Sequence, residues 1–303
     1  MMIALGGGAS PPPMRSIIDV AAAVDRSDQP PISRFSARDG LQLAYRAYPA
    51  SPDKIAILIH GSSGSSASMH TAGRALSKGG ITAYALDMRG HGESGMRGDI
   101  RYIGQLEDDL ADFVAYLRKT YPKAPITLIG HSLGGGFVLR VAASPINHLF
   151  SRYILMAPYL RFDALTSRGV DSGGWNKPFI PRIIGLHILH SLDIDWFSGL
   201  PVIAFALPEG AYGTRTYSYR LFANFGPDYD YLGDFRRSNA LIMVLVGKDD
   251  EIFIADKYEK ALEPVNQYVR IKVIPGLGHM AMVSDPTALT ALVKACTIEQ
   301  PRT

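Results

Sequence analysis

The sequence predicts an α/β fold, with a mostly parallel central sheet, helices on both faces and a helical cap inserted after the sixth strand. Two observations predict it. Apolar runs of strand length alternate with segments of helical period, which is typical of parallel sheets. This alternation stops between Tyr159 and Phe235 and then resumes, which indicates an insertion. The predicted parts are an N-terminal extension (1–30), a core (31–158 and 236–303) and a cap (159–235).

Composition is that of an ordinary globular protein. The chain has 303 residues, of which 47% are hydrophobic and 19% charged, so a substantial core can form. A net charge of +3 without any dense Lys/Arg run predicts no nucleic-acid partner. Cys296 is the only cysteine and zinc-type spacings are absent. We therefore expect no disulfide within the chain, no bound metal and no cofactor.

The N-terminal extension carries no recognisable targeting signal. Its first residues, MMIALGGGASPPP, lack a basic region and a long apolar stretch, so they are a poor signal peptide and more typical of a flexible tail. Residues 15–27 have helical spacing and predict an extra helix lying against the domain. No apolar stretch has the length of a membrane-spanning helix. These features predict a cytoplasmic protein.

Each element of the core follows from a local pattern. Two short strands, ISRFSAR and LQLAYRAY, meet at Asp39-Gly40, a strong hairpin dipeptide. The later predicted strands are KIAILIH, ITAYALD, ITLIG, YILMAP, ALIMVLVG and YVRIKVIPG. Helical patterns predict helices at about 69–78, 105–120, from 133 onwards, 254–262 and 286–295.

The insertion is rich in aromatic residues and prolines, and it contains both tryptophans, Trp175 and Trp196. Its place after the sixth strand predicts that it covers the carboxyl ends of the sheet, where ligands of open α/β folds bind. Its prolines and glycines favour several short helices with mobile connections. In the alternative interpretation, the aromatic side chains fill a second small core that contacts no substrate.

The strongest motif is Gly130-His131-Ser132-Leu133-Gly134, a G-x-S-x-G that joins a predicted strand to a predicted helix. A serine on such a sharp turn sits in strained backbone and needs small residues two positions away on either side. Gly130 and Gly134 occupy those positions. The motif predicts that Ser132 is a nucleophile.

A serine nucleophile needs a base, which in this type of fold follows the last strand. His279 lies directly after YVRIKVIPG and is therefore the predicted base. His60 and His91 belong to loops that precede Ser132, so their position in the chain does not match that of the base. The carboxyl ends of parallel strands meet at one edge, so His279 and Ser132 should lie close together.

The acid that orients the histidine should follow the preceding strand, where three consecutive carboxylates occur. Asp250 stands three residues after the glycine that ends the strand, and we predict it as the acid. Asp249 remains an alternative. Glu251 is expected to be solvated or to bind loop amides, and Asp163, after the sixth strand, is a distant fallback.

Two backbone amides should stabilise the oxyanion that develops when the serine attacks. The residue after the nucleophile, Leu133, supplies the first. The second comes from the loop after KIAILI, which reads His60-Gly61-Ser62. We predict the amide of Ser62, the residue after the His-Gly pair.

The motifs HGSSG, DMRGHGESG, GHSLGGG, GKDDEIF and PGLGH occur in this order between about residues 35 and 297. Together they resemble an α/β-hydrolase of the lysophospholipase and monoacylglycerol lipase-like group. The resemblance implies that DMRGHGES is a structural loop in which Asp87, Arg89 and His91 brace the scaffold. The chain departs from that group at HGSSGSS, where monoacylglycerol lipases tend to carry an acidic residue and a histidine after the His-Gly pair.

The leading hypothesis is a serine carboxylester hydrolase that forms an acyl-enzyme on small to medium acyl esters. The resemblance makes a monoacylglycerol or lysophospholipid a candidate substrate. The same triad could instead cleave a thioester, an amide or a carbon-carbon bond. Outside enzymes, the fold could serve as a ligand receptor or scaffold. A small ester or lipid is the only predicted partner, and the sequence leaves the oligomeric state open.

Overall fold

The computed structural model describes residue 3 and residues 10–297 of the chain. The strands, in chain order, are β1 (Ser33–Ser36), β2 (Gln42–Tyr48), β3 (Ile55–Ile59), β4 (Thr82–Leu86), β5 (Ile126–His131), β6 (Arg152–Met156), β7 (Asn176–Pro178), β8 (Pro201–Phe205), β9 (Thr216–Ser218), β10 (Ile242–Gly247) and β11 (Val269–Ile274). The helices are α1 (Arg15–Ala22), α2 (His70–Lys78), α3 (Gln105–Arg118), α4 (Leu133–Ala143), α5 (Ile180–His190), α6 (Tyr219–Asn224), α7 (Tyr231–Arg237), α8 (Tyr258–Leu262) and α9 (Pro286–Thr297).

The central sheet has eight strands in the order β1-β2-β4-β3-β5-β6-β10-β11. The strands from β4 to β11 in this order pair in parallel, whereas β1 and β2 form an antiparallel hairpin at one edge. Gly40 in the hairpin turn has a φ of 83°, which a glycine adopts without strain. The predicted fold class is confirmed. The loops after β3, β5, β10 and β11 consequently leave the sheet at the same carboxyl edge.

The two faces of the sheet are both buried, as a parallel sheet requires. In β3, Ile55, Ile57 and Ile59 belong to one core, which they share with residues of α3, α4, α7 and α8. Ala56 and Leu58 point to the other core, formed with α2 and α9. Successive side chains of β3 thus enter cores on opposite faces of the sheet, and this is why every residue of the strand is apolar.

The insertion contains a three-stranded antiparallel sheet, β7-β8-β9, in addition to helices. The sequence predicted only short helices there. The run Pro201–Phe205 is apolar and only five residues long, so it pairs as a strand between β7 and β9. The rings of Phe205 and Tyr217 lie 4.6 Å apart, and both residues belong to the same core as the sheet. Only a small cluster around Leu186, Val202 and Tyr219 is separate.

The last helix that begins in the insertion, α7, continues to Arg237, two residues beyond the predicted boundary. It packs against α4 of the core. The α4–α7 contact therefore ties the end of the insertion to the helix that follows the serine turn.

The N-terminal helix α1 ends at Ala22, earlier than the predicted 15–27. The guanidinium of Arg26 turns back and donates hydrogen bonds to the carbonyls of Ala21, at 2.8 Å, and Val24, at 3.1 Å. These bonds satisfy carbonyl groups near the helix end and terminate it. Most of the tail predicted at residues 1–13 lies outside the described residues. Among the helices that are described, none is long and apolar enough to cross a membrane.

Candidate active site

Ser132 lies at the turn between β5 and α4, where the sequence predicted it. Its φ of 56° and ψ of −122° are a conformation that residues other than glycine rarely adopt. A Cβ on Gly130 would collide with the carbonyl of Gly134, and a Cβ on Gly134 would collide with the carbonyl of His60. The two glycines of the motif therefore let the turn pack tightly, which holds Ser132 in its strained conformation.

His279 follows β11 and Asp250 follows β10, and the structure brings these two side chains into contact. The Nδ1 atom of His279 lies 2.8 Å from Oδ2 of Asp250. The other carboxylate oxygen of Asp250 accepts hydrogen bonds from the amides of Ile252 and Phe253, each at 2.8 Å. Asp250 is 2% exposed and His279 4% exposed. The carboxylate is thus fixed on both oxygens.

The electrostatics of this pair define the state of Asp250 and the orientation of the His279 ring. Burial raises the pKa of Asp250, but the charge and hydrogen bond of His279 and two loop amides outweigh it, so the pKa lies below its ordinary value. Asp250 is therefore ionised at neutral pH and accepts the Nδ1 proton of His279. This leaves the Nε2 lone pair of His279 available as a base.

The three consecutive carboxylates have three different environments. Asp249 is exposed to solvent, whereas Asp250 is buried against His279. Glu251 accepts a hydrogen bond from the backbone amide of His279 at 2.8 Å and so holds the loop that carries the histidine. The fallback acid Asp163 is an exposed residue that pairs with an arginine two positions earlier. The geometry favours Asp250 among the four candidates.

The loop after β3 runs beside the serine turn. A Cβ placed on Gly61 would lie 3.0 Å from the Cβ of Ser132, so a larger residue would need the serine turn to shift by a few tenths of an ångström. Within residues 10–297, neither the amide of Ser62 nor that of Leu133 donates a hydrogen bond to another protein group. Both predicted oxyanion donors are thus free to bind a ligand.

Three contacts from the insertion hold this loop, and the sequence did not predict them. Trp175 donates a hydrogen bond from Nε1 to Oγ of Ser62 at 2.8 Å. The hydroxyl of Tyr217 accepts a hydrogen bond from the amide of Ser63 at 2.8 Å, and the amide of Thr214 donates to the Ser63 carbonyl at 3.2 Å. Ser63 has a φ of 63°, which lies in the left-handed region. The two hydrogen bonds hold both its amide and its carbonyl in this conformation.

Two other histidines near the site have structural partners. His60 donates from Nδ1 to the carbonyl of Gly61 at 2.7 Å and accepts at Nε2 from the amide of Met88 at 3.2 Å. His91 lies with Nε2 2.6 Å from the hydroxyl of Tyr217. Burial lowers the pKa of both histidines. They are neutral groups of the scaffold, and neither is a candidate base.

The DMRGHGES loop is held by charged side chains that turn inward. Asp87 accepts hydrogen bonds from the amides of Ser66, at 2.6 Å, and Glu93, at 2.8 Å. Arg89 forms a bidentate pair with Asp109, with both distances at 2.7 Å. These contacts connect the loop to its neighbours, in agreement with the bracing role that the resemblance implies.

A cavity opens over the serine turn, with about 360 Å³ of empty space that is partly open to solvent. Ser132 and His279 line it together with the Ser62 loop. Four apolar side chains from four different segments also line it: Ile17, Trp175, Ile252 and Met280. The polar residues Ser68 and His131 form the rest of the wall. The cavity therefore combines the Ser132 hydroxyl, the His279 ring and two free amides with a small apolar compartment.

The strand order, the serine turn and the acid-histidine pair together define the α/β-hydrolase fold. A family model described as "Serine aminopeptidase, S33" (Hydrolase_4) matches residues 50–286. The chain therefore belongs to this family.

Curated relatives are monoacylglycerol lipases. The monoacylglycerol lipase of Mycolicibacterium smegmatis is 30% identical over 112 residues, which are 36% of this chain and 40% of that protein. The human monoglyceride lipase is 30% identical over 108 residues, 35% of each chain. The matched segment thus spans two fifths or less of these relatives' length.

Solved structures share the fold over most of the chain. The monoacylglycerol lipase of Paleococcus ferrophilus superposes with a TM-score of 0.62 at 18% identity, covering 84% of this chain and 98% of that one. A soluble variant of the monoglyceride lipase of Saccharomyces cerevisiae gives 0.65 at 16% identity, with 89% and 95% covered. A bromoperoxidase from Bacillus anthracis gives 0.60 at 19% identity, with 88% and 100% covered. Because these names describe different chemistry, the shared fold alone does not identify the substrate.

Proposed function

We propose that this protein is a serine carboxylester hydrolase that acts through an acyl-enzyme. The observation that carries the proposal is the contact between His279 and Asp250 at a cavity that Ser132 also lines. The two free amides beside Ser132 support it, because acyl transfer needs donors where negative charge develops. Family membership and the monoacylglycerol lipase relatives agree with this chemistry.

In the proposed reaction, Oγ of Ser132 attacks the ester carbonyl while Nε2 of His279 accepts the hydroxyl proton. Asp250 stabilises the imidazolium that forms. The amides of Ser62 and Leu133 donate hydrogen bonds to the oxyanion of the tetrahedral intermediate. The intermediate collapses, the alcohol leaves with the proton from His279, and Ser132 remains acylated. A water molecule, activated by the same histidine, then releases the acid and restores the serine.

The proposed substrates are esters of small to medium acyl chains. The apolar part of the cavity is formed by only four side chains, which fits a short chain better than a long one. Monoacylglycerols and lysophospholipids with such chains are candidates, because the curated relatives are monoacylglycerol lipases. We also propose that the insertion acts as a cap, since Trp175 lines the cavity and contacts the Ser62 loop.

Labelling with a fluorophosphonate probe and a panel of p-nitrophenyl esters test the proposal. The native chain should be labelled and should hydrolyse the esters, whereas Ser132→Ala should lose both properties, with kcat reduced by about a millionfold. The matched control is Ser191→Ala, at an exposed serine of the insertion. Labelling and hydrolysis that persist in Ser132→Ala would show that another residue is the nucleophile.

The same panel should include aminoacyl p-nitroanilides, because the matching family is described as a serine aminopeptidase. Our proposal predicts that esters are much better substrates than these amides. Hydrolysis of the anilides without ester hydrolysis would instead identify an amidase. If the protein is labelled but hydrolyses neither class, the ester assignment is wrong, whereas the assignment of Ser132 as the nucleophile stands.

A further inference from the structure

The N-terminal helix α1 lies outside the residues that the family model matches, yet it reaches the active-site cavity. The match begins at residue 50, and α1 spans Arg15–Ala22. Ile17 is the buried residue of this helix, at 6% exposure, and it lines the same cavity as Ser132 and His279. A segment outside the residues matched by the family model thus contributes a side chain to the site.

Contacts on both sides of the cavity hold the segment in place. The amide of Met14 donates to the carbonyl of Ala206 in the insertion at 3.3 Å. Helix α1 packs against the short helix Met280–Val283, which starts directly after His279. The segment therefore bridges the insertion and the histidine loop.

Beyond the helix, a charged contact fixes the chain to α2. The carboxylate of Asp28 lies 3.0 Å from Nε2 of the buried His70 and 3.0 Å from the guanidinium of Arg74. The Nε group of Arg26 also donates to the carbonyl of Ala67 at 3.4 Å. Because one end of the segment is bonded to the insertion and the other end to the core, α1 forms a fixed wall of the cavity.

The chemistry of this wall is apolar and close to the reacting groups. Ile17 shares the apolar side of the cavity with Trp175, Ile252 and Met280. The neighbouring side chains on α1 differ: Arg15, Asp19 and Val20 are exposed. The helix thus presents a single branched aliphatic group to the compartment where an acyl chain would lie.

We propose that Ile17 is a specificity-determining residue that limits the length of the acyl chain which the site accepts. This inference rests on the proposed esterase function. In it, α1 closes the far end of the acyl compartment, so butyryl esters fit and octanoyl esters meet the Ile17 side chain. Shortening this side chain opens the compartment, and a larger side chain closes it further.

The test measures kcat/KM for acetyl, butyryl and octanoyl p-nitrophenyl esters in the full chain and in Ile17 variants. For Ile17→Ala, the octanoyl-to-butyryl ratio should rise about tenfold or more, because each additional buried methylene is worth about fourfold. Ile17→Phe should lower the same ratio. Val20→Ala is the matched control, since Val20 lies on the same helix and is 40% exposed. It should leave the ratio unchanged.

Melting temperatures separate specificity from simple packing. If Ile17→Ala and Ile17→Phe lower the melting temperature but leave the ratio at the native value, Ile17 only packs and the inference is wrong. The milder Ile17→Val keeps the test valid if a larger change prevents folding, and it should raise the ratio by a few fold. A native chain that hydrolyses none of these esters would contradict the proposed function itself. Native hydrolysis with an unmoved ratio would contradict only the role of Ile17.

Discussion

The hydroxyl of Tyr217, in the insertion, accepts a hydrogen bond from the backbone amide of Ser63, in the loop beside Ser132, at 2.8 Å. Tyr217 is fully buried, and its hydroxyl also lies 2.6 Å from Nε2 of His91. His91 can donate from Nδ1 to the carbonyl of Arg89, at 3.3 Å, so its Nε2 accepts the tyrosine proton. The hydroxyl therefore connects the insertion to the loop that carries the Ser62 amide.

Tyr217→Phe is expected to lower kcat by about tenfold to a hundredfold while changing KM little. Removal of the hydroxyl leaves the Ser63 amide without its acceptor, so the neighbouring Ser62 amide is no longer held where we propose that it binds the oxyanion. Complete loss of one such donor costs about a hundredfold to a thousandfold in kcat. The measurement is steady-state kinetics on a short p-nitrophenyl ester.

The control for this prediction is Tyr153→Phe. Tyr153 is also fully buried, and its hydroxyl donates to the carbonyl of Asn147 at 2.8 Å, but the residue does not line the cavity. Tyr217→Phe should lose about 1–3 kcal/mol of stability, because it leaves the buried Ser63 amide without its acceptor. Tyr153→Phe should lose less, because the Asn147 carbonyl also accepts from the amide of Phe150 and the side chain of Asn239. Equal losses of kcat in the two variants would show that Tyr217 acts only through stability.

The sequence could predict the parts of the site that depend on local backbone and chain order. Gly130 and Gly134 are required by close packing at the Ser132 turn, and this requirement is visible in the motif itself. His279 and Asp250 follow from the rule that parallel strands bring their carboxyl ends to one edge. The spacing after the strand predicts Asp250 rather than Asp249 as the acid, and the contact with His279 agrees with it.

Contacts made across long stretches of chain could not be predicted in this way. Tyr217 and Ser63 are separated by 154 positions, and no local pattern relates them. The contacts of Ile17 are equally unpredictable, because the helical spacing around it predicts a helix but not the side chains against which that helix packs. The strand Pro201–Phe205 was missed because a short apolar run within a region rich in prolines and aromatics does not distinguish strand from helix.

Asp250→Asn should reduce kcat by up to about ten-thousandfold, whereas Asp249→Asn should change it little. The asparagine cannot stabilise the imidazolium, and its amide group can favour the wrong tautomer of His279. Asp249 is exposed and leaves the pair untouched. Kinetics of the two purified variants on the same ester decide the question. The reverse ranking would identify Asp249 as the acid.

The two tryptophans of the insertion should behave differently when substituted. Trp175→Phe removes the hydrogen bond to Oγ of Ser62 and reshapes the cavity, so both kcat/KM and the chain-length profile should change. Trp196 is 88% exposed, and Trp196→Ala should leave the profile unchanged and alter stability by no more than about 0.5 kcal/mol. Rates on acetyl to palmitoyl esters provide the measurement. An unchanged profile in Trp175→Phe would show that this contact of the insertion does not influence chain-length preference.

His131, the second residue of the serine motif, should make the stability of the fold depend on pH. Burial, together with the charge of His279, lowers its pKa from 6.5 to about 3. Between these two values the unfolded chain binds a proton that the folded chain does not, so the free energy of unfolding falls as the pH is lowered. One such group contributes about 1.4 kcal/mol per pH unit, and this stability is fully present above the unfolded pKa.

His131→Gln should remove this contribution. The side-chain amide of glutamine can still donate to the carbonyl of His279, which His131 contacts through Nε2 at 3.1 Å, but it does not titrate. Urea denaturation between about pH 6 and pH 4 should therefore show a pH slope smaller by about 1.4 kcal/mol per unit than that of the native chain. His148→Gln, at an exposed histidine, is the matched control. If His131→Gln keeps the native slope, His131 is protonated in the folded protein and its burial does not govern the acid sensitivity of the fold.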